Sequence, residues 1–587
     1  MPEYLAPGVY VEETSFRAKS IEGVGTSTTA FVGPTRKGPY RVDNDTPESP
    51  ELLTSYGDFE RIYGGFADLS LGDGVPGTNY LAHAVRAFFN EGGSRLYVSR
   101  VVGADPEVAT VEIIGGADEG VRFIARFPGA AGNGQVVVRE ASTPASETTL
   151  ANAPAGSLVR ATLAGNPALL VRVANSWRPA ANLAGDAVAQ ADVLAGAPHL
   201  ITVSALTIDG DGNSLSFEDM GLANTHPRWI GHVMSATPSR RSDHLQNFYA
   251  VDVGSAVSPS ELHAGLFNGA ANNAAGQPER VWTLTGGEDG GEPTSTNYAL
   301  ALAEIASLED VSIVAAPGSS AYGVDDDDNP QAIASAVIAH AEGRRAYRIA
   351  VLDTPPELLP TTARTWRGLF DSKYGAMYYP WVVVSNPLAR PGREDIPKEI
   401  ALPPSGFVSG IYARNDVQRG VHKAPANEVV RGALRFEIDV NFAQQELLNP
   451  AGVNCLRFFS GRGNRVWGAR LISSDPEWKY VSDRRYFNYL EASIDRSTQW
   501  AVFEPNGERL WANIRQTIAD FLYNEWRSGA LLGTSPDEAY FVRCDRSTMT
   551  QNDLDNGRLI CLVGVAIIKP AEFVIFRIGQ KTADARE

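Results

Sequence analysis

Cysteine is scarce in this chain. Its 587 residues include only three cysteines, Cys455, Cys544 and Cys561. None belongs to a CxxC pair, so the spacing does not favour a structural zinc site. A small, odd number of cysteines is typical of reduced thiols that are buried as small apolar side chains. The cysteine content therefore argues against a secreted protein held together by disulfides.

Long apolar runs and a secretion signal are lacking as well. No run reaches the roughly 18–20 residues that a membrane-spanning helix needs. The first residues, MPEYLAPG, lack the basic stretch and the apolar run of a signal peptide. We therefore expect a soluble protein that assembles in the cytoplasm, does not insert into membranes, and leaves the cell only if the cell lyses.

The motifs of common catalytic and cofactor sites are missing or incomplete. There is no Gly-Lys pair for a phosphate-binding loop, no HExxH and no GxSxG. One GxGxxG, at Gly72–Gly77, does not follow a predicted strand and contains Pro76. The segment 209–219, DGDGNSLSFED, resembles the start of a calcium loop, but Ser214 and Met220 stand where Gly and Glu are required. An ordinary turn is favoured there, with a loose surface calcium site left open; we predict no enzyme and no cofactor.

Positive charge is lacking in the first part of the chain. The net charge is −18, and residues 1–360 hold 22 Lys/Arg against 43 Asp/Glu, whereas residues 361–587 hold 29 against 26. This balance argues against direct nucleic-acid binding, which needs clustered basic residues. The asymmetry indicates either a solvated acidic surface on the first part or two parts that face different partners.

What is present is a pattern of alternating strands and helices. The segment 28–32 reads as a strand, and the apolar spacing of NYLAHAVRAFFNEGG predicts a helix that ends at Gly92 and Gly93. A short helix is predicted to begin at Ser49-Pro50, and Pro380 favours an edge or a bend in a later strand. The chain is therefore predicted to have a mixed α/β (α+β) multidomain fold.

The last third is predicted to be helix-rich and to close with strands. The segment PNGERLWANIRQTIADFLYNEWRSG has the clearest helical periodicity, with Asn506 as N-cap and Gly529 as the stop. Two strands are predicted at Leu559–Ile568 and Glu572–Ile578, separated by Lys569-Pro570. The chain also opens with a strand-like stretch, GVYVEE, that has no partner nearby in the sequence.

Several segments, in order along the whole chain, carry a resemblance. They are APGVYVEE, TSTTAFVGPTRKGP, YLAHAVRAFFNEGGSRLYVSRV, ARFPGAAGNGQVVVRE, LTGGEDG with DVSIVAAPG, YGAMYYPWVVVSNP with IALPPSGFVSGIYARND, RVWGARLISSDPEWKYVSDRRYFNYLEASI, and NGRLICLVGVAIIKPAEFVIFRI. As a set they resemble the contractile tail sheath family of phages and of phage-derived contractile injection systems. The region of about 140–280 matches least, where such sheaths vary in insertions.

The resemblance implies a structural machine. Sheath subunits stack as hexameric rings in a helical lattice around an inner tube, in an extended metastable state. Contraction then drives the tube through a target envelope. The implied partners are further copies of the chain, an inner tube protein, and baseplate and terminal cap proteins; the particle is a phage tail or an injection system.

Composition and resemblance together predict six parts. They are an N-terminal arm at 1–25, an α/β sheath core at 26–103, a β-rich variable insertion on the outer face at 104–280, a continuation of the core at 281–365, a C-terminal tube-facing domain at 366–570, and a C-terminal arm at 571–587.

The resemblance also implies that both arms complete a small sheet in neighbouring subunits. The N-terminal arm residues are Gly8, Val9, Tyr10, Val11 and Glu12. The C-terminal arm residues are Phe573, Val574, Ile575, Phe576, Arg577 and Ile578. The candidate receiving strand is Leu559, Ile560, Cys561, Leu562, Val563, Gly564 and Val565.

Three other functions remain open from the sequence. A surface adhesin predicts a signal sequence and disulfides. A hydrolase predicts convergent carboxylates or a metal within 104–280. A non-contracting tail or baseplate component remains closest to the sheath interpretation.

Overall fold

A computed structural model describes residues 20–43, 48–72, 76–116, 120–323 and 328–576. The predicted N-terminal arm residues Gly8–Glu12, and Arg577 and Ile578 of the C-terminal arm, lie outside these ranges. The described residues form a mixed α/β fold with several sheets, as predicted.

The first part of the chain alternates short strands with two helices. Its elements are β1 (Thr29–Gly33), β2 (Leu52–Leu53), α1 (Tyr56–Tyr63), β3 (Leu69–Ser70), β4 (Pro76–Gly77), α2 (Tyr80–Glu91) and β5 (Leu96–Arg100).

A β-rich inserted unit follows. Its elements are β6 (Thr110–Ile114), β7 (Val121–Ala125), β8 (Gln135–Pro144), α3 (Glu147–Asn152), β9 (Leu158–Leu163), β10 (Asn166–Val173), β11 (Ser176–Pro179), α4 (Gln190–Ala195), β12 (His199–Ile208), β13 (Ser214–Met220), α5 (Ile230–Val233), α6 (Arg241–Gln246), β14 (Tyr249–Val253), α7 (Pro259–Leu266), β15 (Ala271–Asn272) and β16 (Pro278–Thr283).

The α/β alternation then resumes. Its elements are α8 (Ser295–Ile305), β17 (Ile313–Ala315), α9 (Asp328–Glu342), β18 (Ile349–Asp353), α10 (Pro360–Arg367), β19 (Gly375–Tyr379), β20 (Val382–Ser385), β21 (Glu399–Leu402), α11 (Pro404–Arg419), β22 (Glu428–Val429), β23 (Arg435–Phe436), α12 (Phe442–Leu448), β24 (Val453–Phe459) and β25 (Gly463–Val466).

A C-terminal unit completes the described chain. Its elements are α13 (Val481–Ser497), α14 (Glu508–Arg527), α15 (Pro536–Ala539), β26 (Tyr540–Arg543), α16 (Gln551–Asp555) and β27 (Leu562–Val565).

One nine-stranded sheet forms the centre of the molecule. Its order is β2-β5-β1-β17-β18-β19-β24-β25-β22, and the run from β5 to β24 is parallel. Successive residues of β1 point to opposite faces: Phe31 packs with α2 and α11, whereas Ala30 and Val32 pack with α8 and α9. The sheet is therefore covered by helices on both faces, as parallel sheets require.

The central sheet contains strands from both sides of the domain boundary that was predicted between residues 365 and 366. Strands β19 and β24 continue it directly from β18, so the architecture changes between β25 and α13 rather than near residue 366. Pro380 marks a bend, not an edge: β19 lies between two other strands, and after Pro380 the chain enters a separate three-stranded sheet, β21-β20-β23.

Two predicted helix starts are wrong. The helix expected at Ser49-Pro50 begins at Tyr56, because the Ser55 side chain accepts the Asp58 N–H and caps it there. The predicted helix α14 is confirmed, but its N-cap is Gly507. The Asn506 side chain instead accepts a hydrogen bond from the Trp511 indole N–H at 2.7 Å.

The inserted unit is joined to the first part of the chain by buried ion pairs. Asp209 binds Lys37 at 2.7 Å and Asp211 binds Arg36 at 2.7 Å. Asp289 lies 3.5 Å from Arg36 and accepts the backbone N–H groups of Ser70 and Ala130. Because Ala130 belongs to the inserted unit and Ser70 to the first part, one carboxylate ties the two together.

This network also accounts for the segment that resembles a calcium loop. The Asp209 carboxylate faces Lys37 and accepts the N–H groups of Asp211 and Asn213, as in an ordinary Asx turn. Over the described ranges, no group of three or more His, Cys, Asp or Glu is placed to hold a metal ion. Within the same ranges, none of the helices combines the length and apolar composition needed to cross a bilayer.

Candidate intersubunit surface

The C-terminal unit carries a small antiparallel sheet of only two strands. In the register of β26 and β27, Tyr540 is opposite Val565 and Arg543 is opposite Leu562. Among the residues that the structure describes, no third strand pairs with either of them. Each strand therefore presents an outer edge whose backbone groups are available to a further strand.

The two faces of this hairpin differ. Tyr540, Val542 and Val565 pack against the core formed by α13 and α14. On the opposite face, Phe541 and Leu562 are each half exposed. The hairpin is thus held by its inner face, while its outer face is partly exposed and neither edge is paired with another strand of the described residues.

Gly564 has a packing role on the exposed face. A Cβ atom at Gly564 would lie 2.2 Å from the Phe541 ring, so the ring rests directly over this glycine. The absence of a side chain at Gly564 lets the aromatic ring cover the strand.

An apolar tail follows the hairpin. Phe573, Val574, Ile575 and Phe576 are 68–82% exposed, and no strand or helix includes them. The strand predicted for Glu572–Ile578 is therefore wrong up to Phe576, because no described strand of the same chain pairs with it. Four consecutive exposed apolar residues are unusual on a soluble protein and indicate a binding segment.

The tail begins at an anchored carboxylate. Glu572 accepts hydrogen bonds from Arg470 at 2.7 Å, from Asn449 at 2.7 Å and from the Tyr480 hydroxyl at 2.9 Å. Lys479 lies 3.5 Å away. Burial would by itself raise the pKa of Glu572, but these hydrogen bonds, led by that of Arg470, lower it to about 2. The tail therefore leaves the molecule from a fixed point.

Replacing Glu572 is expected to weaken the attachment of the tail to the rest of the molecule. Glu572→Gln should lower the free energy of unfolding by about 1–3 kcal/mol at pH 7, because Arg470 loses its partly buried charged partner. The pKa of Glu572 is about 2 in the folded state, below that of an unfolded glutamate. The stabilisation is thus complete above about pH 4.5 and is lost as the pH falls toward 2.

Urea titrations of both proteins at several pH values test this expectation. The difference between Glu572→Gln and the wild type should shrink as the pH falls from about 4.5 to 2. The exposed Glu477 offers the matched control, and Glu477→Gln should change little at any pH. A difference that stays constant down to pH 2 would contradict the anchor.

The N-terminal segment is also anchored beside the C-terminal unit. Ile21 packs against the same core cluster as β26 and β27. The Val24 N–H donates to the Ser493 hydroxyl at 3.1 Å, and the Thr26 hydroxyl donates to Asp416 at 2.6 Å. Arg485 binds both Asp416 and the Thr26 carbonyl. The first described residues are therefore held by α11 and α13, whereas Glu572 is held by residues that precede α13.

The predicted receiving strand is only partly a strand. Leu562, Val563, Gly564 and Val565 form β27. Leu559, Ile560 and Cys561 precede the strand. They are partly buried against the core of α13 and α14 and form no part of the β26–β27 ladder.

The anchoring residues were not found from the sequence. Glu572 stands between two apolar runs, three residues after Lys569, and a carboxylate in such a setting is a signal that it has a specific partner. Its partners lie more than 90 positions away, so no local pattern identifies them.

Comparison with known proteins gives two adjacent family matches. The model of the phage tail sheath protein central domain matches residues 291–470, and that of the phage tail sheath C-terminal domain matches residues 473–581. The boundary between them coincides with the change of architecture between β25 and α13.

Individual proteins agree with these matches. A putative prophage major tail sheath protein of Pseudomonas aeruginosa (strain UCBPP-PA14) is 26% identical over 272 residues, which are 45% of this chain. The match spans 64% of that protein's length.

Two solved sheath structures share the fold. The helical sheath of the anti-feeding prophage in its contracted state is 21% identical with a TM-score of 0.53, covering 98% of this chain and 99% of that one. The sheath complex of an extracellular contractile injection system, PVC, in its contracted state is 20% identical with a TM-score of 0.52, covering 99% of both chains.

Proposed function

Because this chain belongs to the contractile tail sheath family, we propose that it is the structural subunit of a contractile sheath. It polymerises as stacked hexameric rings around an inner tube, in an extended metastable state. On triggering, the sheath contracts and drives the tube through a target envelope. The role is structural and needs no catalytic residue or cofactor.

The observation that carries this proposal is the match between an open sheet and unpaired apolar segments on one chain. The β26–β27 hairpin lacks strands at its edges, whereas Phe573–Phe576 is an apolar segment without a sheet among the described residues. An extended segment that joins an exposed edge forms backbone hydrogen bonds worth about 0.5–1.5 kcal/mol each. The tail of one subunit would supply a strand to the edge of the hairpin in the next subunit. The hairpin would in turn cover the apolar side chains of that tail.

Two edges leave room for two incoming strands. We assign one to the C-terminal arm, Phe573–Ile578, and the other to the N-terminal arm, Gly8–Glu12, which alternates apolar and polar residues as an edge strand does. Head-to-tail exchange that does not close into a ring generates a helical lattice when it is repeated. Because the arms are tethers, the domains are free to re-pack as rigid bodies during contraction.

The remaining partners follow from this role. The inner tube lies against the C-terminal part of the chain, which is nearly balanced in charge, and the acidic insertion faces outward. Baseplate and cap proteins bind the two ends of the sheath. Energy for contraction is stored when the extended lattice assembles and is kinetically trapped. The particle assembles in the cytoplasm and is released on lysis.

Electron microscopy of the purified chain, with and without its co-expressed tube protein, tests the proposal. We expect striated tubes with six-fold symmetry in two lengths, one extended and one contracted. Tubes of a single fixed length would favour a non-contracting tail component. A chain that stays monomeric in both preparations would overturn the sheath function.

A further inference from the structure

Two of the three cysteines face each other at the base of the open hairpin. Cys544 directly follows β26 and Cys561 directly precedes β27, next to Arg543 and Leu562, the last pair of the ladder on the side of the connecting segment. The two side chains make a thiol–thiol contact. Two thiols in contact at the ends of paired strands can form a disulfide without a large movement of the backbone.

We propose that Cys544 and Cys561 form a redox-sensitive disulfide site that covalently closes the base of the β26–β27 hairpin. The bond would join residues separated by the connection that contains α16, from Asp545 to Ile560. The site depends on the two thiols and the register of the hairpin, and it does not require that the chain be a sheath subunit.

The unequal exposure of the two thiols sets the order of the reaction. Cys561 is partly exposed, whereas Cys544 is buried in the core of the C-terminal unit. With a small-molecule disulfide such as oxidised glutathione, the Cys561 thiolate attacks one sulfur and releases one glutathione thiolate. The Cys544 thiolate then attacks the Cys561 sulfur and releases the second. The two cysteines lose two electrons and two protons, and oxidised glutathione becomes two molecules of reduced glutathione.

The surroundings of the two thiols slow their oxidation. Burial raises the pKa of Cys544, and it raises that of Cys561 to about 12. Because only the thiolate reacts, the rate of bond formation should rise roughly tenfold for each pH unit between pH 7 and 9. Slow oxidation suits a protein that is made in a reducing compartment and later meets an oxidising one.

Cys455 does not compete for either partner. It lies in β24, fully buried in a different cluster with Tyr379 and Leu448. A disulfide in the folded chain is therefore expected to be a single one, between Cys544 and Cys561.

Peptide mapping of the full-length wild type tests the inference directly. After incubation with oxidised glutathione at pH 8.5 and blocking of free thiols, trypsin should release the peptide 544–546 linked to the peptide that begins at Leu559. The linked pair should have two hydrogens fewer than the sum of the two peptides. Reduction should separate them, and Cys544→Ser or Cys561→Ser should abolish the species.

The oxidised chain should also differ in stability. Closing the connection restricts the unfolded chain, so the thermal midpoint of the C-terminal unit should rise by roughly 10 °C and fall back on reduction. Glutathione adducts on Cys561 without the linked pair, or a linked pair that involves Cys455, would overturn the inference. Neither result would affect the sheath proposal, which the microscopy tests on reduced protein.

Discussion

Ile575→Asp is expected to abolish tube formation by the purified chain while leaving its free energy of unfolding within about 0.5 kcal/mol of the wild type. Ile575 is 80% exposed in the single chain, so a carboxylate there stays in water and costs little. In the proposed joint the same side chain is covered by a neighbouring hairpin, where an unpaired carboxylate costs several kcal/mol. The loss is repeated at every subunit, so the effect on the lattice is far larger than on the monomer.

Negative-stain microscopy and urea titration of the same preparation give both readouts. Ile575→Val is the matched control, because it keeps an apolar β-branched side chain and should assemble normally. Deletion of Met1–Glu13, or charges at Val9 and Val11, should reproduce the phenotype from the other arm. Tubes of wild-type length and yield from Ile575→Asp would contradict arm exchange at this segment.

Elements that depend on local spacing were predictable from the sequence. Helix α2 has apolar residues at helical intervals and ends at Gly92, which adopts the left-handed conformation that favours glycine. Helix α14 similarly shows one wide apolar face. In both, the information lies within about twenty residues of the sequence.

Features that depend on distant partners were not predictable. The inserted unit was expected to be β-rich, but nothing in the sequence indicates that β8 pairs with both β12 and β16. The segment Leu559–Cys561 has strand-like composition, yet it packs against the α13–α14 core instead of extending β27. Tertiary packing overrides local β propensity at such positions.

The candidate surface shows the same division. The apolar tail and the strand composition of β27 were visible in the sequence, and they drew attention to the end of the chain as a candidate surface. The open state of the hairpin edges and the anchoring of Glu572 by Asn449, Arg470 and Tyr480 became visible only in the folded chain. The exchange of arms stays a proposal; the observations that support it are the two-stranded hairpin without a third described strand and the anchored Glu572.

Asp289→Ala is expected to have the largest effect on the stability of the single chain, a loss of about 3–5 kcal/mol in the free energy of unfolding. Asp289 is buried and accepts the N–H groups of Ser70 at 2.8 Å and Ala130 at 3.0 Å. Its removal leaves both donors without this acceptor, and it leaves the buried Arg36 with less compensating charge. Ser70 belongs to the first part of the chain and Ala130 to the inserted unit. We therefore also expect these two parts of the variant to unfold in separate transitions.

The loss in the free energy of unfolding can be measured by urea titration monitored by tryptophan fluorescence. Trp177, Trp229 and Trp282 lie in the inserted unit and report on it. Asp252→Ala is the matched control: Asp252 pairs with Arg122 at 3.0 Å, but both side chains are about half exposed. Removing such a surface pair should cost less than about 1 kcal/mol. Equal losses for the two variants would mean that the buried carboxylate does not join the units. A large loss for Asp289→Ala with two resolved transitions would show that Asp289 holds the inserted unit in a fixed position against the first part of the chain.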